Sequence, residues 1–161
     1  MRGRTHLLIA GSAALVASTA MHLSTTAAVA AVTAACVGGL LPDIDHKNST
    51  ISKEMKVTSF VARSVSSHRG LFHAPLLWCI LGAILYFALP EPYCLLVAPV
   101  MLGVASHLLL DILNPTGIPL LWPITKKKMR LARVRTGGKL DKAIGFVAPI
   151  LAIAISFFLV R

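Results

Sequence analysis

Residues 95–113 read LLVAPVMLGVASHLLLDIL, an apolar stretch with one histidine and one aspartate close to its carboxyl end. Its length lies within the roughly 17 to 25 residues that an α-helix needs to cross a bilayer. His107 and Asp111 are four residues apart and therefore share one helical face. Because an ionised aspartate at mid-bilayer costs about 2.5–3.5 kcal/mol, ionisable residues inside such helices usually have a function. We therefore favour metal ligation by this pair over a His–Asp hydrogen bond that joins helices.

The composition of the whole chain is that of a membrane protein. Apolar residues make up 56% of the 161 residues, and charged residues only 14%. A soluble domain of this length needs more charge to cover its surface. The composition therefore excludes an ordinary soluble domain and predicts a single membrane-embedded domain over residues 1–161.

Five apolar runs, including the one quoted, are each close to the length of a membrane span. Together they predict an all-α, polytopic membrane protein with about five transmembrane helices. The first two runs are rich in small residues, which let helices approach closely, so they are predicted to pack as a tight hairpin. The runs are Leu7–Leu23, Thr26–Leu41, Ala74–Leu89, Leu95–Leu113 and Ile144–Val160.

Basic residues give the chain a net charge of +10, and they fall in alternate connections between the runs. The connections Ser24–Thr25 and Pro90–Tyr93 contain neither Lys nor Arg. By the positive-inside rule, the N-terminus and both long connections lie in the cytoplasm, and the C-terminus lies outside. Topology accounts for the positive charge, so no nucleic-acid partner is expected.

Two segments of the long connections are candidates for the membrane surface. Residues Ile51–Ser66 have apolar side chains at an imperfect helical period, which fits either an amphipathic helix on the inner leaflet or an ordinary loop helix. The basic residues within 126–142 would attract anionic phospholipids, although topology alone also explains them.

A cluster of metal-ligating residue types follows the second run. Pro42 interrupts regular helix, and Asp43, Asp45 and His46 come directly after it. Carboxylate and imidazole ligands together suit zinc, manganese or iron. The alternative is a polar turn at a helix end.

A second cluster, His68-Arg69-Gly70-Leu71-Phe72-His73, precedes the third run. A spacing of five does not place His68 and His73 on one helical face, but Gly70 permits a turn that brings them together. Arg69 lies between them, and its guanidinium is suited to bidentate binding of a phosphate.

The predicted topology places all of these clusters on the cytoplasmic side. His6, at the start of the first run, belongs to the same side, although a lone histidine at a helix start is usually interfacial. Unrelated polar residues would be scattered over both faces, so convergence on one face predicts a shared site. Eight candidate ligands are more than one tetrahedral ion can use, so the site is predicted to hold two or three metal ions. The candidate ligands are His6, Asp43, Asp45, His46, His68, His73, His107 and Asp111.

At these residues the chain resembles the YdjM-like, LexA-regulated family of bacterial inner-membrane metal-dependent hydrolases. The resemblance covers most of the chain up to Pro123, and the order and spacing of its motifs make it specific. One departure is Ala74, where a serine is common in the family. The matching segments are Thr5-His6, Gly39–His46, His68–His73, Ser106–Asp111 and Asn114–Pro123.

The resemblance implies a distant relation to the zinc-dependent phospholipase C and nuclease superfamily, whose shared reaction is phosphoester hydrolysis. It raises His6 to a metal ligand and implies divalent ions, zinc or manganese. Asp43 or Asp45 would bridge ions or accept the proton of water, and Arg69 and Asn114 would bind the substrate. A site at headgroup depth on the inner leaflet favours a lipid or lipid-linked phosphoester.

Two other functions remain open. A metal transporter would also use intramembrane His and Asp, but it predicts polar residues along the helices to the outer face, where this chain is apolar. A metal-binding regulatory protein would use the same residues as a transporter, whereas a structural or regulatory membrane protein whose basic connection docks anionic lipid or a partner would tolerate loss of His107 and Asp111. The sequence does not indicate an oligomeric state.

Overall fold

The structure is a computed structural model that describes residues 1–45 and 71–161. The predicted amphipathic segment 51–66 lies outside the described residues, as do His46, His68 and Arg69. For Asp45 only the backbone is described.

The described residues form five α-helices and no β-strand, which confirms the all-α prediction. Three short 3-10 helices, Leu41–Asp45, Leu71–His73 and Tyr93–Leu96, lie beside the helix ends. The helices are α1 (Gly3–Ala20), α2 (Thr25–Gly38), α3 (Pro75–Ala88), α4 (Val97–Asp111) and α5 (Lys139–Leu159).

Local sequence sets several of these helix ends. The Ser24 hydroxyl accepts a hydrogen bond from the Ala27 N–H and so caps the start of α2. Pro75 occupies the first turn of α3, where a missing N–H costs nothing. Helix α2 ends at Gly38, earlier than the predicted Leu41, because Pro42 cannot donate to a continuing helix.

Helix α1 packs against α2, α4 and α5, and α4 packs against α1, α2 and α3. The close contact of α1 with α2 confirms the predicted hairpin. Because the chain alternates in direction, one end of the bundle collects the starts of α1, α3 and α5 and the ends of α2 and α4. This end is called the site end below.

Two glycines allow α2 and α4 to touch through their backbones. A methyl group added at Gly103 would overlap the carbonyl oxygen of Ala35, and one added at Gly38 would overlap that of Val100. Small residues at helix crossings are the usual means of close packing in membranes. The contact brings α4, with His107, against the end of α2.

Two described helical segments are long and apolar enough to cross a membrane, Tyr93–Asp111 and Lys139–Leu159. Most of α5 is exposed, including the large apolar side chains of Phe146, Ile153 and Phe158. An exposed apolar helix of this length is suited to contact with lipid. Helices α2 and α3 have 14 residues each, so the count of five spans stays a prediction.

The glycine contact leads to a stability prediction. We expect Gly103→Ala to lower the thermal stability of the purified protein in detergent, because overpacking costs about 1–3 kcal/mol. That cost exceeds the gain of roughly 0.5–1 kcal/mol that alanine brings to a helix interior.

Gly82→Ala is the matched control. Its added methyl would lie 2.7 Å from Sδ of Met101, at the flexible end of a side chain that can move away. Equal melting temperatures for the two variants would contradict the proposed backbone contact.

Candidate metal centre

Helix α4 supplies two groups to the centre of the site end, His107 and Asp111, which are 0% and 1% exposed. His107 donates its Nδ1 hydrogen to the carbonyl oxygen of Gly39 at 2.7 Å. This bond fixes the tautomer, so that Nε2 presents its lone pair to the site. Metal-bound histidines typically have such a partner on the other ring nitrogen.

Helix α1 supplies His6, which is fully buried. Its ring stacks on that of His107, with centroids 3.7 Å apart and planes 15° from parallel. Among the described residues, neither of its ring nitrogens has a hydrogen-bond partner within ordinary range, and Nε2 lies 3.4 Å from Oδ1 of Asp111. The structure thus places His6 inside the bundle instead of at the interface.

The two 3-10 helices on either side of the undescribed segment supply Asp43 and His73. Nε2 of His73 lies 3.6 Å from Oδ1 of Asp43 and 3.4 Å from Oδ2 of Asp111. Burial opposes charge on His73, but the two carboxylates outweigh it and raise the pKa of the imidazole. Burial would likewise raise the pKa of Asp43, but the imidazoles of His73, His107 and His6 hold it below its usual range.

The spacing of these atoms fits shared coordination of a metal. Two ligands at the usual Zn–N or Zn–O distance of about 2.0–2.1 Å lie roughly 3.4 Å apart around one tetrahedral ion. The Nε2–carboxylate distances here run from 3.4 to 3.8 Å, too long for good hydrogen bonds. Two sets of three groups have their ligand atoms within 4.8 Å of one another: His6, His107, Asp111 and Asp43, His73, His107.

Further groups hold the Asp111 carboxylate in place. Its Oδ1 accepts from the amide of Asn114 at 2.5 Å and from the α-amino group of Met1 at 2.8 Å. Asn114 is 1% exposed, so its contact within the described residues is with this carboxylate. The structure shows it orienting Asp111, and its predicted contact with substrate stays a prediction.

Five of the eight predicted ligands meet in this cluster, although they come from α1, α4 and two separate 3-10 helices. The other three predicted ligands are His46 and His68, which lie outside the described residues, and Asp45, whose side chain is not described. The predicted anion-binding Arg69 also lies outside the described residues. The five that meet are His6, Asp43, His73, His107 and Asp111.

Asp141 is a buried group at the site end that the sequence did not indicate. It lies among the basic residues that precede the fifth apolar run, yet it is 0% exposed in the first turn of α5. Its Oδ2 accepts from the N–H groups of Gly137 at 2.5 Å and Arg2 at 3.2 Å, and the Thr5 side chain also bonds to the carboxyl. Asp141 thus joins α5 to the first turn of α1, next to His6.

The basic connection between α4 and α5 also folds back on the site end. The N–H groups of Leu131 and Val134 donate to the carbonyls of Ile112 and Leu113, at 2.8 and 2.9 Å. Its basic side chains remain exposed: Lys126, Lys127, Lys128, Arg130, Arg133, Arg135, Lys139 and Lys142. The largest positive patch described therefore lies on the same end as the candidate centre.

The Asp141 contacts lead to a second prediction. We expect Asp141→Ala to cost about 1–3 kcal/mol of stability, because it leaves the partly buried N–H groups of Arg2 and Gly137 without this acceptor. Thermal unfolding in detergent measures the loss. Lys142→Ala, one residue along on the exposed face, is the control, and an equally small effect of both substitutions would contradict this role.

Comparison with known proteins assigns the chain to a family. Residues 1–161 match the family described as YdjM inner membrane protein. The chain is 39% identical over 87 residues to inner membrane protein YdjM of Escherichia coli K12, and equally to that of Shigella flexneri. These alignments cover 52% of the chain but only 44% of either relative.

A third relative is matched over more of its length. The chain is 34% identical over 137 residues to the uncharacterized protein YvsG of Bacillus subtilis 168, covering 85% of the chain and 82% of the relative. No solved structure matches the chain. The match over the full length and the apolar, lipid-suited helices agree, and the chain belongs to the YdjM family of bacterial inner membrane proteins.

Proposed function

We propose that the chain is a membrane-bound hydrolase that uses divalent metal ions to cleave a phosphoester of a lipid or lipid-linked substrate. The observation that supports this best is the buried cluster of three imidazoles and two carboxylates spaced as metal ligands. Burying these charged and polar groups is costly, and bound metal ions would offset that cost. The resemblance to the zinc-dependent phospholipase C and nuclease superfamily supplies the reaction type.

The donor set favours zinc, with manganese as the second choice, because imidazole suits zinc and carboxylate suits both. His6, His73 and His107 would bind through ring nitrogens, and Asp111 presents one carboxylate oxygen to His6 and the other to His73 and His107. Two or three ions are proposed. When bound, such ions lower the pKa of a water molecule and offset charge on the phosphate.

Asp43 is the proposed proton acceptor of the described residues. Its side chain is 15% exposed, whereas Asp111 is 1% exposed and already accepts from Met1 and Asn114. A base must reach the water that it deprotonates, so the more open carboxylate is the better candidate. Asp45, two residues on, remains an alternative for the same role, and Arg69 is proposed to bind the phosphate.

The position of the site supports a lipid substrate. The cluster lies at the helix ends, on the same end as the exposed basic connection. The positive-inside rule then places both on the cytoplasmic side of a five-span protein. Basic side chains at this depth also attract anionic phospholipids, which would raise the substrate concentration near the site.

The alternative of metal transport has less support. A pathway across the membrane would need polar groups along the bundle. Among the described residues, the buried polar side chains lie at the site end, apart from Ser18 near the end of α1.

A test of the metal site compares metal content between variants. We expect wild-type protein purified with zinc to contain two or more ions per chain, and His107→Gln to lose at least one, because Nε2 is its only free ligand atom. His22→Gln is the control, since His22 is exposed at the far end of α1. Elemental analysis gives the ratio, and circular dichroism checks that each variant is folded.

Activity is measured on the same samples as release of phosphate or headgroup from phospholipid micelles. We expect turnover with zinc or manganese in wild type and His22→Gln, and its loss in His107→Gln and Asp111→Ala. Bound metal without turnover on any phospholipid or polyprenyl phosphate would overturn the hydrolase proposal and leave a metal-binding membrane protein.

The topology has its own test. We expect alkaline phosphatase fused after Arg161 to be active in cells, because the fifth span would place it outside the cytoplasm, where that enzyme folds. A fusion placed within residues 126–142 should be inactive. The reverse pattern would contradict the proposed orientation and the cytoplasmic position of the site.

A further inference from the structure

An apolar groove runs between α3 and α4, with a cavity of about 470 Å³. The groove stays open because several residues that line it are small, among them Gly82, Ala83 and Ala105. Trp78 is largely buried beside it, and its indole N–H donates to the Phe72 carbonyl at 2.7 Å, so that its ring presents a fixed apolar surface. Lining residues include Trp78, Gly82, Ala83, Met101, Ala105 and Leu108.

One end of the groove lies at the site end of the bundle. Pro75 and Leu108 line this end, and they are two residues after His73 and one residue after His107. The other end is at Tyr86, on the last turn of α3. The groove therefore runs along most of α3, away from the site end.

The length of the groove matches one leaflet. Pro75 and Tyr86 are eleven residues apart, which corresponds to about 16 Å at 1.5 Å per residue. Half of a hydrocarbon core roughly 30 Å thick is about 15 Å. A chain anchored by its headgroup at the site end would thus be covered along one leaflet.

The surroundings of the groove are also suited to lipid. The exposed residues of α3 beside it, such as Leu76, Ile80 and Ile84, are large and apolar. Ala83 and Ala105, on the two walls, are themselves exposed, so the groove is open at the side. In a bilayer, that opening faces acyl chains and allows lateral entry.

Building on the proposed function, we propose that this groove binds one acyl chain of the phospholipid substrate and thereby places the headgroup phosphate at the cluster of His73, His107 and Asp111. Chain and phosphate would be held by separate parts of one site. Substrates with a chain that fills about 16 Å of groove would bind best, and short-chain esters would lack this contribution.

Binding can be measured without turnover through the fluorescence of Trp78. The other tryptophan is removed by Trp122→Phe, and the protein in detergent is titrated with phosphatidylglycerol brominated on its acyl chain. We expect saturable quenching. Ala83→Phe should weaken it by about 5- to 150-fold, the equivalent of an overpacking cost of 1–3 kcal/mol.

Leu85→Phe is the matched control, because Leu85 is on the same helix but does not line the groove. Equal curves for Ala83→Phe and Leu85→Phe, or quenching that never saturates, would overturn the inference. So would a polyprenyl phosphate that displaces the brominated lipid at far lower concentration, since it would assign the groove to a different chain.

Kinetics separate this inference from the proposed function. If both hold, Ala83→Phe raises KM for a long-chain phospholipid by a larger factor than KM for a short-chain phosphoester, whereas Leu85→Phe leaves both KM values unchanged. Hydrolysis with the same KM in Ala83→Phe and Leu85→Phe supports the hydrolase and rejects the groove. Saturable, Ala83-sensitive quenching without any hydrolysis supports the groove as a lipid site and rejects the hydrolase.

Discussion

The burial of the Asp111 carboxylate is the constraint on which the site end depends. A carboxylate at 1% exposure is tolerated only if cations or donors surround it. The partners come from across the chain: the α-amino group of Met1, the amide of Asn114, and the imidazoles of His6 and His73. Satisfying one buried charge therefore requires α1, α4 and the segment before α3 to meet at one point.

Close packing of small residues is what allows them to meet. Gly103 and Gly38 let α4 and α2 touch through their backbones, and His107, one turn beyond Gly103, then reaches the Gly39 carbonyl. That bond sets the tautomer which directs Nε2 into the cluster. The close packing at Gly38 and Gly103 thus determines which nitrogen of His107 is available as a ligand.

Local patterns in the sequence predicted much of the candidate site, and the part that they missed depends on helix packing. The spacing of His107 and Asp111 in an apolar run was enough to indicate a site, and alternating charge was enough to bring His6, Asp43 and His73 to the same end. Asp141 was missed because its neighbours along the chain, Lys139 and Lys142, are exposed and basic. Its burial arises from the packing of α5 on α1, which no local pattern in the sequence reveals.

The exact lengths of the helices were also not predicted by the apolar runs. The apolar runs located each helix, but Pro42 ended α2 early, and the short α3 begins only at Pro75. The cluster lies at the end of the bundle, which in the proposed topology is at the depth of the lipid headgroups. A polar site at this depth and an apolar groove leading away from it are complementary to the two parts of a phospholipid. The architecture thus agrees better with the proposed substrate, a phosphoester that stays in the membrane, than with one that arrives from water.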